Sequence, residues 1–170
     1  MSRKTRTLTL SALFSAFTVI ILYIASVWPS GQIGLVAAAS LFVAAAVIES
    51  GLVPGVYVFA ASSIIAMLMI PNRAAPILYI AFFGFYPVLK SLIERLRGTI
   101  LQWVLKLLVF NISLTVLWFL LRELFFSLEG FSPHIILVYL GGSVIFAMFD
   151  YGFTKMIWFY INRISRKMRK

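Results

Sequence analysis

The stretch LTLSALFSAFTVIILYIASVW, residues 8–28, holds no charged side chain and follows the basic start Met1-Ser-Arg-Lys-Thr-Arg6. At a rise of about 1.5 Å per residue, roughly 20 mostly apolar residues carry a helix across the hydrocarbon core of a bilayer. The run therefore reads as a membrane span. A secretory leader cleaved near Ala25 is the competing reading. Its apolar core would be only about 7–15 residues long, so a retained first helix is expected.

The same pattern repeats along the chain. Further apolar runs lie at about 32–49, 52–70, 74–90, 101–121 and 135–156. They are separated by Pro29-Ser-Gly31, Glu49-Ser-Gly51, Pro71-Asn-Arg73, Lys90 to Gly98, and Arg122 to Pro133. Proline and glycine punctuate nearly every break. Hydrophobic residues make up 62% of the chain, well above the share of roughly 45–50% in soluble domains. The expected fold is an all-α integral membrane protein, a single membrane domain over residues 1–170 with six transmembrane helices.

Charge gives the orientation. Arg3, Lys4 and Arg6 precede the first span. Lys90, Arg95 and Arg97 follow the fourth, and Arg163, Arg166, Lys167, Arg169 and Lys170 follow the sixth. Six alternating crossings put all of these on one side. The other side holds Arg73 and Arg122, with Glu123 and Glu129 nearby. The positive-inside rule then places both termini in the cytoplasm of a multi-pass protein of the bacterial cytoplasmic (inner) membrane. The net charge of +10 caps apolar segments and lines no polar face. It reads as topology signal and contact with anionic membrane lipid, with no nucleic-acid partner.

Several chemistries are excluded or unsupported. The chain has no cysteine and one histidine, so thiolate catalysis, disulfides and a multi-histidine metal site within one chain are out. No hydrolase elbow, zinc-protease helix or phosphate-binding glycine loop is found. The chain is read as a non-enzyme with no cofactor, no metal and no catalytic residue.

The two halves differ. Spans 1–3 are rich in small residues: Ala12 and Ala16 four apart, Ala37-Ala-Ala39-Ser40, Ala44-Ala-Ala46, and Gly51 with Gly55. Such spacing lets helices approach closely in lipid. It serves either packing within the monomer or, for Ala12 and Ala16, docking of another membrane subunit. Spans 4–6 hold most of the aromatics, and each carries a line at helical spacing. These are Tyr79, Phe83 and Tyr86; Asn111, Thr115, Trp118 and Arg122; and Tyr139, Ser143, Phe146 and Asp150. Polar groups in a bilayer usually face an interior, so the three faces can wall a small-molecule pocket. Packing between helices is the plainer use, and Trp103, Trp158 and Tyr160 read as interfacial belt.

Some charged positions have two readings each. Asp150 is the one acid well inside a span. It is either a proton or cation site, or a carboxylate hydrogen-bonded or paired with Lys155. Glu49 is expected to cap the helix that follows it, or else to touch a cytoplasmic partner. Segment 90–106 is either an amphipathic helix on the membrane face, with Lys106 snorkelling to the interface, or a solvated extension of span 5. Arg122, Glu123, Glu129 and His134, with Asn72 and Arg73, are candidates for the polar end of an outward pocket.

The opening Arg6-Thr-Leu-Thr-Leu-Ser-Ala12-Leu-Phe-Ser-Ala16 resembles the first helix, with its alanine-x-x-x-alanine motif, of the substrate-binding S components of energy-coupling factor (ECF) transporters. Glu49-Ser-Gly51-Leu-Val-Pro-Gly55 resembles their glycine-rich break before span 3. The resemblance implies uptake of a vitamin or similar small-molecule micronutrient. The S component topples in the membrane, energised by two ATPase subunits through a membrane coupling subunit. Ala12 and Ala16 would dock against that coupling subunit. By location, Asn72, Arg73, Tyr79, Asn111, Trp118, Arg122 and His134 would fall at the ligand site, with Tyr86 and Tyr139 from the aromatic lines beside them. The alternative is a non-transporting scaffold of a bacterial envelope or cell-shape assembly, binding partners through its basic end and segment 90–98.

Overall fold

The computed structural model describes residues 3–125 and 135–165, and the described residues are helical with short breaks. The helices are α1 (Arg3–Val27), α2 (Gln32–Ser50), α3 (Leu52–Met69), α4 (Ala74–Leu78), α5 (Tyr86–Ile93), α6 (Thr99–Phe125) and α7 (Ile135–Tyr160). A π-helical turn, Tyr79–Phe83, joins α4 to α5, and another, Ile161–Ser165, extends α7. Six helices are long and apolar enough to cross a membrane, with α4, the π turn and α5 forming the fourth as Ala74–Ile93. The end of the bundle that carries the start of α1 and the end of α7 is here called the terminal face.

The fourth crossing departs from regular α-helix for a local reason. Pro87 stands in the first turn of α5. It has no N–H to donate to the preceding turn, and its ring crowds that turn. The π turn and the break at Gly84-Phe85 lie immediately before it, where the chain accommodates the missing bond.

α2 is the central helix. It packs against α1, α3, α5 and α7, and its buried residues are mostly Ala39, Ala44, Ala45 and Ala46 with Val36 and Val43. A helix with neighbours on several sides needs short side chains to bring their axes close, which is what the alanine-rich run provides. The tightest approach is to α3. A Cβ on Gly55 would stand 2.3 Å from Val47 Cγ2, so only glycine fits. The junction itself turns through Gly51 at φ 103°, a backbone region that side chains disfavour.

Two cores result. One joins α1, α2, α3 and the start of the fourth crossing around Leu22, Val36, Val43, Val58 and Tyr79. The other is aromatic and joins α2, α5 and α7 around Phe82, Tyr86, Phe146 and Phe153, with Phe110 of α6 against it. Many large apolar side chains, such as Leu8, Leu68, Ile100 and Met148, point outward, as lipid-facing residues must.

Segment 90–106 follows neither expectation. α5 runs on to Ile93, a short turn passes through Gly98 at φ 110°, and α6 begins at Thr99. No surface helix forms, and the helical extension ahead of 101 is only Thr99 and Ile100. Glu49 is also corrected. Gly51 is the N-cap of α3 with no side-chain cap bond, and Glu49 Oε1 is buried without a hydrogen-bond partner.

Candidate functional site

Four charged side chains meet near the terminal face. Lys90 lies on α5, Glu94 one turn later, Lys106 on α6 and Asp150 on α7. Lys90 Nζ pairs with Asp150 Oδ1 and reaches Glu94 Oε1 at 2.8 Å. Lys106 Nζ reaches Glu94 Oε1 at 2.8 Å and Asp150 Oδ2 at 2.9 Å. The four form a closed ring of alternating sign and zero net charge. Asp150, Lys90 and Lys106 are buried, whereas the Glu94 side chain is 40% exposed. Removing charges from water is costly, and a closed ring offsets that cost because each member meets two opposite charges.

Glu94 lies just outside the membrane-spanning segments. Partial burial pushes its carboxyl up, but the ammonium groups of Lys106 and Lys90 outweigh that and hold it below the usual carboxylate range. Lys155 does not pair with Asp150. It lies over the Tyr151 ring at 5.4 Å, because a residue five positions on faces well round the helix from Asp150. Lys106 likewise does not snorkel: two carboxylates within its reach hold it inside.

Above the ring, measured from the terminal face, sits an aromatic layer. Tyr86 packs on Phe82 at 4.9 Å and on Phe146 at 5.5 Å, and Phe110 stacks on Phe146 at 4.7 Å. Tyr86 also donates a 2.6 Å hydrogen bond to Asp150 Oδ1. One side chain thus belongs to both layers.

Beyond the aromatic layer, in the half of the bundle away from the terminal face, lies a cavity of about 300 Å³ between α2, the fourth crossing, α6 and α7. Phe82, Phe83, Phe110, Phe146 and Phe149 wall it, with Ile33, Leu78, Leu114, Leu117 and Ile145. Among the described residues its one polar side chain is Ser113, and no charged group lines it. The volume is at the small end of small-molecule sites, which are mostly apolar with a few placed polar groups.

The residues singled out from the sequence do not converge on this cavity. Tyr79 is buried with its hydroxyl 2.9 Å from that of Ser62 on α3. Tyr86 points to Asp150. Asn111 Nδ2 donates to Leu107 O of its own helix at 2.8 Å. The Tyr139 hydroxyl lies 2.6 Å from Thr115 Oγ1 and ties α7 to α6. Asn72 Oδ1 accepts from the Ala74 N–H at 3.1 Å, and its Nδ2 donates to Ser26 O at 3.4 Å, fixing the loop to the end of α1. Arg73 is exposed. Trp118 and Arg122 lie on α6, and their side chains are outside the described ones. His134 and Glu129 lie outside the described residues. From the expected aromatic lines, Phe83 and Phe146 do reach the cavity.

Of the expected belt residues, Trp103 and Trp158 face outward. The Tyr160 hydroxyl is instead buried without a partner. Ala12 and Ala16 are both exposed on α1, so packing among the described residues does not bury them. Their opposite flank supplies Phe14, Ser15 and Thr18 to the interior.

Compared with known proteins, the chain matches no family model, no curated protein and no solved structure.

Proposed function

We propose that the chain is the substrate-binding S component of an ECF-type importer in a bacterial cytoplasmic membrane, with the terminal face inside the cell. The observation that carries this reading is the outward position of Ala12 and Ala16. They leave a notch of small side chains on α1, between Leu8 and Ile20, that no other part of the described chain fills. A membrane-embedded coupling subunit can pack a helix closely against such a notch. The cavity in the opposite half is where cargo would sit, separated from the terminal face by the aromatic layer and the ion ring. The two ATPases would then act through the coupling subunit on a carrier that holds no nucleotide itself.

The test is co-purification from the host membrane with native mass spectrometry. The wild-type protein is expected to carry a coupling subunit and ATPases. Ala12→Leu with Ala16→Leu is expected to lose them while keeping the same thermal unfolding profile. An unchanged partner set in that variant, or a wild-type complex with envelope-synthesis proteins instead, overturns the proposal in favour of a scaffold.

A further inference from the structure

The wall of the cavity identifies the class of molecule it takes. Phe82, Phe110, Phe146 and Phe149 supply apolar faces, and among the described residues no ammonium, guanidinium or carboxylate reaches the lining. A charged ligand would leave its hydration with nothing to replace it. Lys90, Lys106 and Asp150 lie below the aromatic layer and already satisfy one another.

Ser113 breaks the apolar pattern. It lines the cavity and is 6% exposed. Several hydroxyls inside these helices donate to the carbonyl four residues back, as those of Ser15, Thr18, Ser62, Thr115 and Thr154 do, whereas that of Ser63 is buried without a partner away from this cavity. The Ser113 hydroxyl has no hydrogen-bond partner among the described residues. An unpaired hydroxyl on an apolar cavity wall has an unmet hydrogen-bonding capacity that a bound molecule can use.

From the cavity lining and this single free hydroxyl, we infer that the ligand is a compact, neutral lipophile carrying one hydrogen-bonding oxygen, held by aromatic contact and by Ser113. The inference deepens the proposed carrier role and rests on that reading for its physiological meaning. The binding site itself is tested separately.

Gly34 provides a clean control. It lines the cavity, and a Cβ there would meet nothing within 4 Å. Gly34→Leu therefore adds a side chain into free space and also favours the helix. The probes are geraniol, a neutral branched alcohol; myrcene, a related hydrocarbon; and geranic acid, ionised at pH 8. Each is titrated into wild type, Ser113→Ala and Gly34→Leu in phosphatidylcholine nanodiscs, reading thermal unfolding and bound mass. Geraniol at saturation is expected to raise the wild-type Tm by about 5 °C. Its binding is expected to weaken about fivefold in Ser113→Ala, to the level of myrcene, and to be lost in Gly34→Leu. Geranic acid is expected to leave the Tm unchanged. Equal effects of geraniol and myrcene in wild type, indifference to Ser113→Ala, or preference for geranic acid would each overturn the inference. Native mass spectrometry of wild type separates the two failures. A coupling complex without selective geraniol binding removes the ligand class alone. Selective geraniol binding without that complex removes the importer reading alone.

Discussion

The Tyr86 hydroxyl donates to Asp150 Oδ1 at 2.6 Å while the Tyr86 ring packs 5.5 Å from that of Phe146. The side chain that hydrogen-bonds the ion ring through Asp150 therefore also braces a wall of the cavity. Tyr86→Phe keeps the ring and removes only the hydroxyl. Asp150 retains both lysines, so the loss is one hydrogen bond to a charged acceptor, about 1.5–3 kcal/mol. Thermal unfolding in nanodiscs should show a fall in Tm of that order, with the helical content unchanged. No fall would mean that the hydroxyl contributes nothing to the ring.

Removing the acid at the centre is expected to be worse. Asp150→Asn leaves Lys90 and Lys106 buried with Glu94 as their only shared carboxylate. Breaking a buried ion pair from one side typically costs about 3–5 kcal/mol. The triple replacement Lys90→Met, Lys106→Met and Asp150→Leu removes the charges together and should recover much of that loss. A single variant as stable as wild type would show that the ring is dispensable. A triple variant less stable than Asp150→Asn would show that the ring is worth more than apolar packing.

Glu94 makes part of this stability depend on pH. Its carboxyl is held below the ordinary value of 4.5 in the folded chain. The unfolded chain therefore takes up a proton first as pH falls. The contribution of Glu94 is complete above about 4.5 and is lost as pH drops through the lower folded value. The group is well exposed, so solvent screening keeps the effect small. The difference in Tm between wild type and Glu94→Gln isolates it from the other acids. That difference should be constant between neutral pH and about 5, then shrink on further acidification. A difference that instead grows on acidification would contradict the assigned pairing.

How much of this was legible in the sequence follows from the range of each force. Span number and rough boundaries came from hydropathy, which is local and strong. The six apolar runs correspond to the six helices long enough to cross. The Gly51 and Gly55 signals also held, because backbone freedom and close approach leave a direct mark on residue choice. Asp150 stands out in the sequence, and of its readings the hydrogen-bonded carboxylate holds while the pairing with Lys155 does not. Lys155 is near in sequence, whereas Lys90 and Lys106 are near in space, and only packing of α5, α6 and α7 brings them together. The sequence suggests a pocket walled by spans 4–6, and Phe83 and Phe146 do reach the cavity, but α2 also lines it through Ile33, Gly34 and Ala37, and most of the remaining lining carries no sequence mark. Phe82, Phe110 and Phe149 look like lipid-facing residues in a sequence already rich in phenylalanine. The polar residues that looked like ligand contacts mostly satisfy backbone groups or neighbouring helices, as buried polar groups in lipid must. Ser113 carried no sequence signal, since its lack of a partner is visible only once every other hydroxyl has been placed.

The contact between Gly55 and Val47 gives a prediction that separates shape from chemistry. Gly55→Ala puts a methyl group where Val47 Cγ2 already stands, at 2.3 Å from the ideal Cβ position. Val47 is β-branched and has little rotamer freedom on a helix, so α2 and α3 must move apart, an overpacking loss of about 1–3 kcal/mol. Val47→Ala alone opens a small gap at a partly buried site and is expected to cost about 1 kcal/mol or less. The double variant should be more stable than Gly55→Ala, because the space vacated by one side chain accepts the other. A double-mutant cycle on thermal unfolding reads this directly as a favourable coupling energy. Additive losses would mean that Val47 is not what excludes a side chain at position 55, and that the glycine is instead needed for the turn beginning at Gly51.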